Sequence, residues 1–202
     1  MKLYYSPGSC SLASHIALAE SGAEFSVEKV DLRSKMTETG ANFREVNPKG
    51  SVPALEIEPG VILTEGAAIQ QYVADRVGGA GVVPATGTLE RGRLQEALHF
   101  IGAELHKAYS PLFNPAISAE QKDLQHGLIA AKLTWLESRL ADETAHLVGS
   151  AFTLADSYLF TITNWSKGMG IDMAAYPKIN ALRARVAARP AVQAAMKAEG
   201  LL

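Results

Sequence analysis

The spacing of apolar and polar positions changes character along this chain, and the change divides it in two. Residues 2–5 form a short aromatic and apolar run that reads as a strand. Ser6-Pro7-Gly8 then supplies turn chemistry. Ser9 or Ser11 can cap a helix running to about residue 20, with Leu12, His15, Ile16 and Ala19 on one face. Gly22 suits the left-handed position after its end. Residues 25–30 alternate and predict a second strand. A polar, exposed connection follows over residues 34–40, then a short helix near residues 42–46 that stops at Asn47-Pro48. Residues 54–57 and 61–63 predict two strands joined as a hairpin through Glu58-Pro59-Gly60. A helix then runs from Glu65 or Gly66 to about Val77, with Ile69, Tyr72, Val73 and Val77 as its core stripe. A βαβ unit followed by a ββα unit makes a mixed sheet with helices packed on it.

Gly78-Gly79-Ala80-Gly81 through Gly87 is glycine-rich and forms the natural domain boundary. No strand precedes it, so it is not a phosphate-cradling motif. After it the two-residue alternation is gone. A long helix is predicted over residues 89–110, ended by Pro111, with Leu94, Leu98, Ile101, Leu105 and Ala108 on one face. A second is predicted over about residues 119–140, with Leu124, Leu128, Ala131 and Trp135 as buried candidates. Thr153-Leu154-Ala155-Asp156 has capping-box spacing, with Asp in place of Glu. The run after it is apolar nearly all round, the mark of a central buried helix. Tyr176-Pro177 starts another helix, and Arg189-Pro190 restarts the chain for a last short one. The expected domains are residues 1–80 and 88–202.

Composition narrows the function. With 202 residues, 48% of them hydrophobic, the chain can bury a sizeable core. A net charge of −2 gives no basic footprint for nucleic acid. No apolar run approaches a membrane span, and the N-terminus breaks too early for a signal peptide. One cysteine permits no intrachain disulfide, which fits a cytoplasmic location. No His, Cys, Asp or Glu spacing suggests a metal.

Four stretches carry candidate chemistry. In Asn47-Pro48-Lys49-Gly50-Ser51-Val52-Pro53-Ala54-Leu55, Pro53 biases Val52 toward an extended backbone. An uncovered Val52 would offer its N–H and C=O to a peptide-like ligand, although Val-Pro is also ordinary turn punctuation. Cys10 falls near the first turn of the first helix, where free N–H groups favour a thiolate; it reads equally as a small buried residue. Having no second cysteine, it can form a disulfide only with another molecule. Glu65 and Gly66 open the third helix, whose N-terminus can hold a carboxylate while Glu65 pairs with an ammonium. A single Glu there more commonly satisfies the helix dipole. On the long helix, His99, Gly102, Ala103 and His106 share a face away from the apolar stripe. His106 has the near-neutral pKa that acid–base chemistry needs, or the face is simply solvated.

Together these pieces resemble the cytosolic glutathione transferases, most closely the bacterial beta class. The resemblance spans the chain and is carried by residues 1–12 and 47–55, by Leu63-Thr64-Glu65-Gly66, by Glu104-Leu105-His106-Lys107, by Ser110-Pro111-Leu112-Phe113 and by Phe152-Thr153-Leu154-Ala155-Asp156. It implies an α/β thioredoxin-like N-terminal domain plus an all-α helical-bundle C-terminal domain, assembled as a homodimer, and a cis Pro53. It implies glutathione as co-substrate, small hydrophobic electrophiles as partners, and no metal, nucleic acid or membrane. By the same resemblance Val52 pairs with the cysteinyl part of glutathione, Glu65 and Gly66 hold the γ-glutamyl end, and Lys35 approaches the glycyl end. Cys10 faces the glutathione sulfur and His106, with Lys107 adjoining, assists catalysis. His99, Ala103 and Glu104 reach the glutathione of the neighbouring subunit, and Thr153 and Asp156 form a structural cap. Three departures stand out: Gly66 where many relatives carry Ser, His99 where beta-class relatives often carry Asn, and Ala103 where some carry Ser. The implied activity is glutathione conjugation. The alternatives are thiol–disulfide exchange or peroxide reduction through a Cys10 mixed disulfide, and non-catalytic binding of apolar ligands in a cleft with Tyr109 and Phe113.

Overall fold

The structure, a computed structural model, describes residues 1–77, 82–143 and 145–202. Gly78-Gly79-Ala80-Gly81 lies outside the described residues. The chain forms two compact units, Met1–Val83 with Ala188–Leu202, and Pro84–Ala187.

In the first unit, β1 (Lys2–Tyr5), β2 (Ser26–Lys29), β3 (Ala54–Glu58) and β4 (Val61–Thr64) form one sheet in the order β2-β1-β3-β4. β1 runs parallel to β2 and antiparallel to β3, with Leu3 opposite Leu55, and β3–β4 is an antiparallel hairpin. The pleat sends alternate β1 residues to opposite faces. Leu3 and Tyr5 join Leu18, Leu55, Ile69 and Val73 in one core cluster. Tyr4 joins Val30, Phe43, Val52 and Ala54 in the other. Leu18 belongs to α1 (Ser11–Ser21), Phe43 to α2 (Phe43–Val46), and Ile69 and Val73 to α3 (Gly66–Val77). The expected core stripe of α3 is half right. Ile69 and Val73 are fully buried, whereas Val77 is exposed near the helix end.

The last helix, α10 (Pro190–Ala198), belongs to this first unit rather than to the helical one in which the sequence expectation grouped it. The contacts are specific. Arg189 holds Glu20 through two nitrogens, at 2.6 and 2.9 Å. Buried Glu199 accepts the Gly8 N–H at 2.9 Å and pairs with buried His15 at 2.9 Å. Short helices carry no label for the layer they join, so periodicity alone cannot place this one.

The second unit is helical: α4 (Leu89–His99), α5 (His106–Tyr109), α6 (Ala119–Arg139), α7 (Leu154–Thr163), α8 (Ser166–Met169) and α9 (Pro177–Ala187). Every residue of α7 is buried, as an all-round apolar run requires. Asp156 Oδ2 accepts the Thr153 N–H at 2.7 Å and Oδ1 that of Leu147 at 2.9 Å, so the capping box forms. Two expectations need correction. The single helix of residues 89–110 is a succession: α4, a π-helical stretch over Phe100–Leu105, α5, then a 3₁₀ turn at Ser110–Phe113. Its apolar stripe Leu94, Leu98, Ile101, Leu105 and Ala108 is nonetheless buried. On α6 the expected core face is the outer one. Leu124, Leu128 and Trp135 are exposed, and so is Ala131, while Ile129, Leu133 and Leu136 are buried. α6 carries two apolar stripes, and the helical period does not say which one meets the core.

Candidate active site

The first unit gathers five of the expected residues around one loop system. Cys10 is the N-cap position of α1 and is half-buried. Ser9 and Ser11 do not cap in the simple sense expected. The Ser9 hydroxyl accepts the Ser11 N–H at 3.3 Å, and the Ser11 hydroxyl accepts the Ser6 N–H at 3.1 Å. These bonds hold the loop that presents the thiol. The Cys10 thiol donates to the Val52 carbonyl at 3.4 Å. The Val52 carbonyl is therefore not free, as its extended setting suggested; it already has a sulfur donor. Its side chain is buried in the second core cluster, so the backbone rather than the side chain faces the thiol. The Val52–Pro53 peptide bond is cis, as the resemblance implies.

The turn before Val52 is built by Asn47, which the sequence reading gave only as the stop of the short helix. Asn47 is buried, its carbonyl accepts the Gly50 N–H at 2.8 Å, and its side-chain amide donates to the Ser51 carbonyl at 2.8 Å. Gly50 takes a φ of +62°, which its missing Cβ permits. Lys35 donates to the Gly50 carbonyl at 2.9 Å. Among the described residues, the two non-glycine residues with positive φ are Lys35 at +62° and Glu65 at +71°. Such backbone costs roughly 1 kcal/mol and concentrates at ligand clamps. The family resemblance assigns the two to opposite ends of one ligand. Glu65 precedes α3, is exposed, and accepts from Lys49 Nζ at 2.6 Å. Lys49 was also missed; its spacing of 16 positions from Glu65 gives no local signal.

The helical unit holds the other expected residues. His106 follows the π-helical stretch, a geometry common at functional sites. Its Nδ1 lies 3.2 Å from the Tyr158 hydroxyl, and its ring meets that of Trp165 edge-on at 5.1 Å between centroids. Burial, reinforced by the Lys107 charge, pushes its pKa down to about 4. The expected near-neutral value is thus corrected: the imidazole is neutral at pH 7. Gly102 lies on the same side, where a Cβ would stand 3.3 Å from the Tyr158 hydroxyl. His99, Ala103 and Glu104 are exposed. His99 Nδ1 bonds the Gln95 carbonyl at 2.7 Å, and Glu104 pairs with Lys132 at 2.6 Å. Tyr109 is core, its hydroxyl 2.6 Å from Ser166, whereas Phe113 is exposed and stacks edge-on against Trp165. Tyr158 and Trp165 escaped the sequence reading because their run looked like plain core.

Among the described residues, no three His, Cys, Asp or Glu side chains converge as a metal site. Among the described residues, no helix is long and apolar enough to cross a membrane.

Residues 1–75 match the family described as glutathione S-transferase, N-terminal domain, and residues 100–190 its C-terminal domain. The chain is 43% identical to glutathione S-transferase GstA of Escherichia coli O157:H7 over the whole of both chains. The chain belongs to the glutathione S-transferase family. Among solved structures, it matches a bacterial beta-class glutathione S-transferase of Sphingomonas chungbukensis at 50% identity and a TM-score of 0.95, over all of both chains. A sphingomonad glutathione S-transferase complexed with glutathione matches at 49% identity and a TM-score of 0.94, again over all of both chains. The fold is that of the family, a thioredoxin-like unit and a helical one. Within this glutathione S-transferase, Gly66 leaves the first turn of α3 without a side chain. A Cβ there would lie 3.6 Å from Pro53 Cγ, in ordinary contact.

Proposed function

We propose that the protein binds reduced glutathione in its first unit and transfers it to small hydrophobic electrophiles. The observation that carries this reading is the convergence of the Cys10 thiol on the Val52 carbonyl, beside a turn whose Lys49 pairs with Glu65 just before α3. Backbone at Val52 suits the cysteinyl part, the amino end of α3 suits the γ-glutamyl carboxylate, and Lys35 suits the glycyl carboxylate. Glu65, already in contact with one ammonium at Lys49, suits a second on the ligand. The bound thiol loses its proton, and the thiolate forms a C–S bond as the electrophile's leaving group departs with its electron pair. His106 is proposed to assist by hydrogen-bonding the sulfur; with a pKa of about 4 its neutral imidazole is too weak a base to keep the thiol proton, which passes to solvent. In this reading residues 1–80, completed by α10, form the glutathione-binding domain, and the helices from residue 88 through α9 form the helical domain. Titration calorimetry with reduced glutathione tests it: saturable one-site binding is expected, and no heat of binding would end it.

A second reaction is favoured by the partial exposure of Cys10. Its thiolate can attack oxidised glutathione, forming a Cys10–glutathione disulfide and releasing one glutathione thiolate. Intact mass after incubation should then gain one glutathione, and Cys10→Ala should not.

The reading includes a homodimer. The stripe Leu124, Leu128, Ala131 and Trp135 is exposed on the protomer, and so are His99, Ala103 and Glu104, the residues proposed to serve a neighbouring subunit. Leu128→Glu should sediment as a monomer where the native protein sediments as a dimer. A cytoplasmic location is proposed on the single cysteine.

A further inference from the structure

Behind the first turn of α3 lies a polar cluster that the proposed reaction does not use. Gln70, one helical turn after Gly66, is fully buried, and neither its amide nitrogen nor its amide oxygen has a hydrogen-bond partner in the protein. Ser14, one turn after Cys10 on α1, is also fully buried, and its hydroxyl is likewise unpartnered. The two converge. The position a Cβ would take at Gly66 is 3.8 Å from the Gln70 amide nitrogen and 3.8 Å from the Ser14 hydroxyl. Pro53 Cγ walls the same point at 3.6 Å.

A buried amide with both ends unmet is costly, roughly 1–3 kcal/mol for each group. Native proteins rarely leave such groups bare, and the usual remedy is an internal water with two to four polar partners. The Ser14 hydroxyl and the Gln70 amide nitrogen put two unmet polar atoms around one point, beside a glycine that gives up side-chain volume. We propose that Ser14 and Gln70 hold a buried water behind the first turn of α3, and that this water fixes the turn at Glu65 and Gly66. Gln70 is then a positioning residue, acting through water on the backbone that receives the γ-glutamyl end. Where a serine at position 66 would bring its own hydroxyl, this chain uses a solvent oxygen tied to α1 and α3 together. The role in ligand binding rests on the proposed glutathione reading; the water itself does not.

A high-resolution crystal structure of the native protein should show a density peak within hydrogen-bonding distance of the Ser14 hydroxyl and the Gln70 amide. A site without density overturns the proposal whether or not glutathione binds. Gln70→Met keeps the side-chain volume and removes both polar atoms. It should weaken reduced-glutathione binding about fivefold by calorimetry, the scale of one lost hydrogen bond. Adding Gly66→Ser to that variant should restore the affinity, because the new hydroxyl replaces the water. If Gln70→Met instead raises the melting temperature and leaves glutathione affinity unchanged, Gln70 is only an unmet core amide and its positioning role falls. If the native protein binds no glutathione, the proposed function fails while the density peak still decides the water.

Discussion

The thiol loop and the imidazole pocket are built from opposite materials. Around Cys10 the chain presents backbone: the Val52 carbonyl, the Asn47–Gly50 turn, and positive φ at Lys35, Gly50 and Glu65. Around His106 it presents side chains: Tyr158, Trp165 and the Lys107 charge. A backbone site announces itself through Gly, Pro and Asn, whose conformational preferences are local. A side-chain site depends on packing between residues about 50 positions apart, as with His106 and Tyr158. The first kind is easy to find and hard to tune by substitution. The second is hard to find, and its electrostatics respond to every neighbour.

The largest effect that would break this contrast is at Asp156, which starts the helix carrying Tyr158. Asp156→Ala leaves the Thr153 and Leu147 N–H groups without their acceptor. Denaturant unfolding should show a loss of about 3 kcal/mol, from a lost cap and two unmet donors. Next is His106→Ala, which should lower kcat/KM for conjugation about 10-fold, the scale of one lost hydrogen bond to a developing charge. A variant at native activity would remove His106 from the chemistry.

A smaller effect separates the two sites by pH. His106 titrates near 6.5 when unfolded and about 4 when folded. Between those values the unfolded chain holds a proton that the native chain does not, so stability falls as pH drops through this window. Stability that His106 contributes is complete above the upper value and lost by the lower. His106→Asn should flatten the decline, measured as unfolding free energy at neutral pH and at about pH 5. The smallest effect belongs to the backbone site. Glu65→Gln removes an exposed pair with Lys49 and should change stability by about 0.5 kcal/mol or less. The same variant should weaken glutathione binding measurably, which sets ligand recognition apart from fold stability at that turn.

The same contrast explains what the sequence revealed. The strands were legible because residues 25–30 alternate and Glu58-Pro59-Gly60 marks a hairpin. Cys10, Val52 and Glu65 were legible because each sits beside a punctuating Ser, Pro or Gly. The capping box was legible from four residues. The depressed pKa of His106 was not, since burial depends on partners far along the chain. Nor was the π-helical stretch, because Phe100 to Leu105 keeps an ordinary apolar rhythm while its hydrogen bonds shift. The outward stripe of α6 and the return of α10 were missed for a shared reason: amphipathic period gives the existence of a face and not its destination. Lys49 and Gln70 were passed over because a lone Lys or Gln carries no pattern.

The last helix gives the order of synthesis a consequence. A ribosome releases Lys2, Cys10 and the opening strand first, yet their unit lacks the carboxylate on Gly8 and His15 until Glu199 has left the exit tunnel. The half of the molecule that is translated earliest is therefore the half completed last. A released chain truncated after residue 187 would carry the whole helical unit and a thiol loop without its carboxylate.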